Sequence, residues 1–162
     1  MRLSYCLSAK TWRTSRINSK KHISICRKTY SSVWLHIVWS TKLRKPNLFR
    51  SFRYDLFNYL KSYGEKNEIT VDVINGIEDH VHLLIRLKTT QKISEVINLL
   101  KGASSRWINL NANMEETFKW QNGYGVFSVS EKDIPKVRNY IYNQEEYHKS
   151  ISYSKELKKL VK

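Results

Sequence analysis

The chain has 162 residues, room for one domain with its own hydrophobic core, and no apolar run approaches the roughly 18 residues that span a bilayer. Its 29 Lys and Arg against 14 Asp and Glu give a formal net charge of +15, which points to nucleic acid as the leading partner through counterion release, with an anionic membrane surface second. Part of the excess is local: residues 1–29 hold eight basic residues and no acid, leaving 21 against 14 for the rest, which is still basic at +7.

Both cysteines, Cys6 and Cys26, fall in that first segment. Two isolated thiols without the Cys or His spacing of a zinc site point to neither a disulfide framework nor a metal cluster, and fit a reducing compartment. The segment lacks the apolar stretch of a secretory signal. Being rich in Arg and Ser and free of acids, it resembles an organelle transit peptide. Two simpler readings compete, a flexible basic arm and an upstream start codon, and the expectation adopted is the last, a tail on a domain beginning near Tyr30.

From Ser32 onward the elements follow in order. Val33, Leu35, Ile37 and Trp39 alternate with Trp34, His36, Val38 and Ser40, the period of a half-buried strand. Phe49, Phe52, Leu56, Leu60 and Tyr63 recur at three- and four-residue steps and predict an amphipathic helix stopping at Gly64. Ile69, Val71 and Val73 mark a second strand, and Asn75-Gly76 predicts a two-residue turn into a third. Ile93, Val96, Ile97, Leu100, Ala103 and Trp107 trace a second helix with Lys101, Ser105 and Arg106 on its other side. After a polar stretch at 109–125 come a short strand at 126–130 and a third helix of about 15 residues, with Asp133 as N-cap and Pro135 in its first turn.

This order of strand, helix, strand, strand, helix, strand, helix is the α+β, ferredoxin-like split βαβ pattern with one added C-terminal helix. It predicts an antiparallel sheet with two helices on one face and the other face free. In the third strand Val81, Leu83 and Ile85 turn toward the helices, so His80 and His82, one pleat apart, stand side by side on the free face, at a surface. Such a pair holds a metal or is an ordinary solvated strand face. On the last helix Tyr140 and Gln144 lie at i and i+4, so a phenol and a carboxamide share one patch.

With these residues in view, DHVHLL at 79–84 resembles the His-hydrophobe-His (HUH) signature of single-strand DNA endonucleases, and YIYNQ at 140–144 is similar to the tyrosine helix of the single-tyrosine insertion-sequence transposases in that class, which include the REP-associated tyrosine transposases. WLHIVWSTKLRKP, LLKGASSRWIN and KWQNGYGVFSVS also resemble family segments, in the family's order, so the likeness covers roughly residues 30–150. Residues 1–29 have no counterpart in it, and residues 151–162 read as a basic C-terminal tail. The resemblance implies that His80, His82 and Gln144 bind a divalent ion, Mg²⁺ or Mn²⁺, and that Tyr140 is the nucleophile that leaves a covalent 5′-phosphotyrosine. It also implies a single-stranded DNA partner with hairpin-containing ends, a homodimer in which the tyrosine helix can act in trans, and a bacterial or archaeal cytoplasmic location.

Around this set, Glu78 and Asp79 are candidates to orient an imidazole, His148 is an alternative ligand, Tyr142 and Tyr147 are rival nucleophiles, and His36 reads as structural. Lys42, Arg44, Lys45, Lys101, Ser104, Ser105 and Arg106 are candidate phosphate contacts, with Trp120 and Tyr124 as stacking platforms for unpaired bases. The competing reading of these residues is a solvated face and a loop-anchoring aromatic. At the level of function the alternatives are a non-catalytic binder of structured single-stranded DNA or RNA, and a domesticated relative that processes repeat hairpins.

Overall fold

The computed structural model describes residues 30–149 together with 151, 155, 156 and 158; the basic segment 1–29, with Cys6 and Cys26, lies outside the described residues. The elements run β1 (Val33–Ser40), α1 (Arg50–Lys66), β2 (Thr70–Gly76), β3 (His80–Leu87), α2 (Ile93–Asn111), β4 (Gly125–Val129), α3 (Ile134–Tyr142) and α4 (Gln144–His148). The strands form one sheet in the order β2-β3-β1-β4, every pair antiparallel. This is the ferredoxin-like arrangement: β1 and β2 flank β3 and are joined by α1, while β3 and β4 flank β1 and are joined by α2. The last helix departs from its expected length, because Asn143 (φ −95°, ψ 23°) breaks it into α3 and α4.

Strand alternation divides the side chains between two faces. On one face Leu35, Ile37 and Trp39 of β1 and Val81, Leu83 and Ile85 of β3 pack against Phe52, Leu56 and Leu60 of α1 and Val96, Ile97, Leu100 and Ile108 of α2. The other face is not free, which corrects the sequence expectation. There α3 lays Ile141, with Ile134 and Val137, over Val73 and Leu84. Arg138 of α3 also grips Asp72 through two hydrogen bonds, Nε to Oδ2 at 2.8 Å and a terminal nitrogen to Oδ1 at 3.1 Å, at the bulge between Val71 and Val73. His80 and His82 do point away from α1 and α2, but beneath this cover both are 0 % exposed.

A second clasp holds α4. Arg53, on α1 and 1 % exposed, donates to the Leu48 carbonyl at 3.3 Å, to Glu78 at 3.4 Å and to Glu145 of α4, whose carboxylate also accepts from the Tyr54 hydroxyl at 2.7 Å.

Two glycines act differently from their expected roles. Asn75 and Gly76 do not form the turn; they belong to β2, paired with His82 and Val81, and the chain reverses over Ile77, Glu78 and Asp79. Gly76 is required by crowding, since a Cβ there would stand 2.2 Å from the His80 carbonyl oxygen. Likewise Gly64 does not end α1, which continues to Lys66; its bare Cα lets the Ile69 carbonyl pack where a Cβ would meet it at 2.8 Å.

Gly76→Ala is therefore expected to cost about 1 to 3 kcal/mol in urea unfolding, the range for overpacking. Gly102→Ala, in α2 where a Cβ meets nothing within 4 Å, is expected to gain about 0.5 to 1 kcal/mol in the same assay. Glu145→Ala, which strips a buried guanidinium of the nearer of its two charged partners, should cost about 2 kcal/mol, whereas Glu78→Ala, whose side chain is 55 % exposed, should cost less than about 1 kcal/mol.

Candidate metal centre and nucleophile

The site is built around the start of β3. The turn before it is tied down by backbone hydrogen bonds from Leu48 to the Glu78 carbonyl (2.8 Å) and from Thr41 to the Asp79 carbonyl (2.9 Å). Asp79 then holds His80: its Oδ1 lies 2.6 Å from His80 Nδ1, and its Oδ2 accepts from Arg44 Nε at 3.0 Å. Arg44 and the preceding Leu43 have φ of 56° and 55°, left-handed backbone that costs on the order of 1 kcal/mol or more for residues other than glycine. That strained corner aims the guanidinium at Asp79.

Three imidazoles meet a carboxylate under the α3–α4 cover. His80 and His82 come from β3, His148 from the end of α4, and Glu156 from the segment that follows. One potential ligand atom from each lies within 4.8 Å of all the others. His80 Nε2 and His148 Nε2 are 3.0 Å apart, and Glu156 Oε2 stands 3.2 Å from His148 Nε2 and 3.6 Å from His80 Nε2. His82 Nε2 lies 3.5 Å from Glu156 Oε1. The opposite ring nitrogens face outward: His82 Nδ1 is 2.9 Å from His36 Nε2, and His148 Nδ1 donates to the Ile151 carbonyl at 2.8 Å.

Tyr140 and Gln144 join the same cluster. The Tyr140 hydroxyl donates to Glu156 Oε1, and Gln144 Nε2 reaches that oxygen at 3.4 Å, so the i, i+4 patch read from the sequence converges despite the break at Asn143. The Tyr140 ring stands edge-on to both His36 and His82, with centroids 5.8 Å away in each case. A groove of about 440 Å³, lined by His36, Phe127, Ser130, Lys136 and Tyr140 among others, opens beside the phenol.

Burial governs the ionisation of the group. It lowers the His82 pKa to about 4 and that of His36 to about 3, with mutual repulsion adding to the His36 shift, so both rings are neutral at physiological pH. His80 is lowered by burial against the opposing pull of Asp79. Burial works against charge on Glu156 and His148 as well. Even so, the neighbouring His148 and His82 rings and the Tyr140 hydroxyl hold the Glu156 carboxyl well below its usual range, and Glu156 holds His148 above its own. Burial and then the Glu156 charge push the Tyr140 phenol above its ordinary value.

His82 Nε2, Gln144 Oε1 and Glu156 Oε2 are buried without a hydrogen-bond partner. Nitrogens and oxygens that converge in this way without satisfying one another fit a divalent cation. Between His80 and His148, each with Nδ1 turned to an oxygen, a proton or a cation has to bridge the facing Nε2 atoms.

The structure brings His80, His82, Gln144 and Tyr140 together and adds His148 to them. It also adds two residues that the sequence reading passed over: His36, read as structural, sits against His82, and Glu156 belongs to a segment read as basic tail. Tyr142 is 58 % exposed on the far side of α3. Among the candidate DNA contacts, four are engaged within the fold, and two of these are buried. Ser104 (0 % exposed) and Trp120 (8 %) are bonded to each other, indole N–H to hydroxyl at 2.9 Å, and pin the 112–124 loop onto α2. Lys101 is engaged with the Gln121 and Gly123 carbonyls, at 2.8 and 2.7 Å, and Arg44 with Asp79. Lys42, Lys45, Arg106 and Tyr124 are exposed and Ser105 is half-buried.

Known proteins share this framework. The family described as Transposase IS200 like matches residues 29–144. The ISDra2 transposase TnpA of Deinococcus radiodurans is 28 % identical over 114 residues, covering 67 % of this chain and 81 % of the relative. The transposase for insertion sequence element IS200 of Salmonella typhimurium is 26 % identical over 119 residues, covering 70 % and 78 %. Among solved structures, a crystal structure from Deinococcus radiodurans described as that of a transposase superposes with a TM-score of 0.60 at 26 % identity, over 73 % of this chain and 95 % of the other. A REP-associated tyrosine transposase bound to a REP hairpin shares the fold, with a TM-score of 0.57 at 15 % identity over 77 % and 74 %. The match across residues 29–144, on a fold that gathers the two histidines, the glutamine and the tyrosine, makes this chain a member of the IS200-like, single-tyrosine HUH transposase family.

Proposed function

We propose that the protein is a metal-dependent single-stranded DNA transposase and endonuclease that cuts and rejoins the ends of an insertion sequence through a 5′-phosphotyrosine at Tyr140. One observation carries this reading: the Tyr140 phenol, the two β3 imidazoles and the Gln144 amide meet at one buried carboxylate, with three donor atoms left unsatisfied. His80, His82 and Gln144 would hold the ion, and His148 and Glu156 are further donors that this chain supplies beyond the matched region. Mg²⁺ or Mn²⁺ suits the oxygen donors, while the imidazole nitrogens also suit later first-row metals. When bound, the ion supplies Lewis-acid stabilisation of charge at the scissile phosphate.

The rest is the work of the chain. The Tyr140 oxygen attacks phosphorus and loses its proton, the bond from phosphorus to the 3′ oxygen breaks, and that oxygen takes up a proton to leave as a 3′ hydroxyl. The phosphotyrosine keeps the energy of the broken diester, so a second 3′ hydroxyl can reverse the step and join new ends. The groove lined by His36, Phe127, Ser130 and Lys136 gives a strand access to the phenol. Lys42, Lys45, Ser105, Arg106 and Tyr124 are the remaining candidates for gripping DNA.

Hairpin-bearing single-stranded ends as substrate, a homodimer and a cytoplasmic location belong to the same reading; no described helix is long and apolar enough to cross a membrane. Exchange of α3 into a partner's site would have to release the Arg138–Asp72 pair and the packing of Ile141 on Val73 and Leu84. A non-catalytic binder is not favoured, since it leaves the converged phenol, imidazoles and amide without a role.

Incubated with Mn²⁺ and single-stranded DNA carrying its element's ends, the protein is expected to form a covalent adduct on denaturing gels, absent with Tyr140→Phe or a chelator; DNA retained without adduct would support the binder instead. Mn²⁺ at a hundredfold excess over its Kd should stabilise the wild type by about 2.7 kcal/mol in thermal unfolding. His148→Ala and Glu156→Gln should each weaken Mn²⁺ at least tenfold by calorimetry, with unchanged affinity removing those two residues from the donor set.

A further inference from the structure

His36 lies in the family-like segment WLHIVWSTKLRKP, but the resemblance assigns it no role and the chemistry just described uses it only to line the groove, yet it is 3 % exposed and lies against the central imidazole of the site. The sheet puts it there. In the β1–β3 register Val38 faces His82 and His36 faces Leu84, so His36 and His82 are diagonal neighbours on one face, their rings stacked at 5.2 Å with 21° between planes. His36 Nε2 and His82 Nδ1 are 2.9 Å apart.

A neutral imidazole carries one N–H, so the two rings share one hydrogen bond in one of two senses. If His36 donates, His82 bears its own proton on Nε2, inside the cluster. If His82 donates, its Nε2 presents a lone pair to the cluster and the His36 proton sits on Nδ1. The neighbouring rings indicate the sense. His80 Nδ1 is turned outward to Asp79 and His148 Nδ1 to the Ile151 carbonyl; both partners are oxygens that only accept, so each of these rings keeps its Nδ1 proton on the outward side. His82 Nε2 has no hydrogen-bond partner, as expected of a lone pair rather than an N–H beside a carboxylate 3.5 Å away.

We propose that His36 is a positioning residue that accepts the His82 Nδ1–H, fixing His82 in the tautomer whose Nε2 lone pair faces the metal centre. It does for His82 what Asp79 does for His80, by a neutral acceptor on a neighbouring strand. Its role as a positioning residue for metal rests on the metal-dependent reading above; the tautomer itself does not. Outer partners of ligating histidines typically contribute 10- to 100-fold in metal affinity.

Two measurements on the full chain test this. In ¹⁵N-labelled protein without metal, long-range ¹⁵N–¹H correlations should show His82 protonated on Nδ1 and His36 also on Nδ1; His82 protonated on Nε2 overturns the proposal. By calorimetry with Mn²⁺, His36→Phe, which keeps a ring but removes the acceptor, should bind at least tenfold more weakly, and His36→Gln, whose amide oxygen can accept, should recover most of that loss. A His36→Phe affinity equal to wild type, or a His36→Gln as weak as His36→Phe while both are folded by circular dichroism, overturns it too. Should the wild type take up no Mn²⁺ while His82 carries its proton on Nδ1, the metal reading fails and the tautomer assignment stands.

Discussion

His80, His82, Gln144 and Glu156 are each at most 1 % exposed, and the burial of these four polar side chains under α3 and α4 is the constraint to which the surrounding structure answers. A buried polar atom without a partner costs roughly 1 to 3 kcal/mol, and three of the six among the described residues lie in this cluster: His82 Nε2, Gln144 Oε1 and Glu156 Oε2. The cover therefore has to be held from outside the site. Arg138 on Asp72 and Arg53 on Glu145 do this from opposite sides, one anchoring α3 to the β2 bulge and the other anchoring α4 to α1. A cation in the cluster would relieve all three orphaned atoms at once, so the stability of the cover and the affinity for metal are linked quantities.

The outward nitrogens of the three imidazoles have acceptors of different strength. His80 faces a carboxylate, His148 a backbone carbonyl and His82 another imidazole. A carboxylate makes the ring it supports the more basic ligand. Asp79 is itself restrained by Arg44, and the Thr41 and Asp79 backbones are bonded, so the corner after β1 and the turn before β3 move as one piece with His80. Among the described residues, His148 and Glu156 come from α4 and the segment after it rather than from a strand of the sheet. Two histidines are thus set rigidly, and the remaining donors are brought to them by the chain end.

Much of this was legible in the sequence because strand and helix periods fix direction. Alternation in HVHLLIRL put Val81, Leu83 and Ile85 on one face and the histidines on the other, and the four-residue step put Tyr140 beside Gln144. What alternation does not encode is what lies on top. The expectation of a free face failed because α3 was counted as an addition to the fold, although its apolar residues Ile134, Val137 and Ile141 needed a surface and Val73 and Leu84 offered one. Glu156 was hidden for a different reason: in a lysine-rich stretch one acid reads as a surface ion pair, and only the fold reveals that it is buried. Asn75-Gly76 misled because a glycine required by close backbone approach looks, in sequence, like a glycine required by a turn. Ser104 and Trp120 read as exposed contacts because their partnership spans 16 positions.

The two faces of the sheet are unequal in a way that bears on catalysis. Among the described residues, nineteen buried ones join α1 and α2 to one face, whereas the buried apolar core beneath α3 is Val73, Leu84 and Ile141, with partly buried neighbours around it. Regions with few buried apolar contacts open at lower free energy than the global transition. The α3 side can therefore lift or shift while the α1–α2 side keeps β1 and β3, and with them His36, His80 and His82, in register. If Tyr140 is the nucleophile proposed above, its phenol would exchange Glu156 for a phosphate, and the groove between β4 and α3 would admit the strand. The division of the core puts Tyr140 on the thinner side, while His80 and His82, whose side chains face α3, are carried by a strand that α1 and α2 hold from the other side.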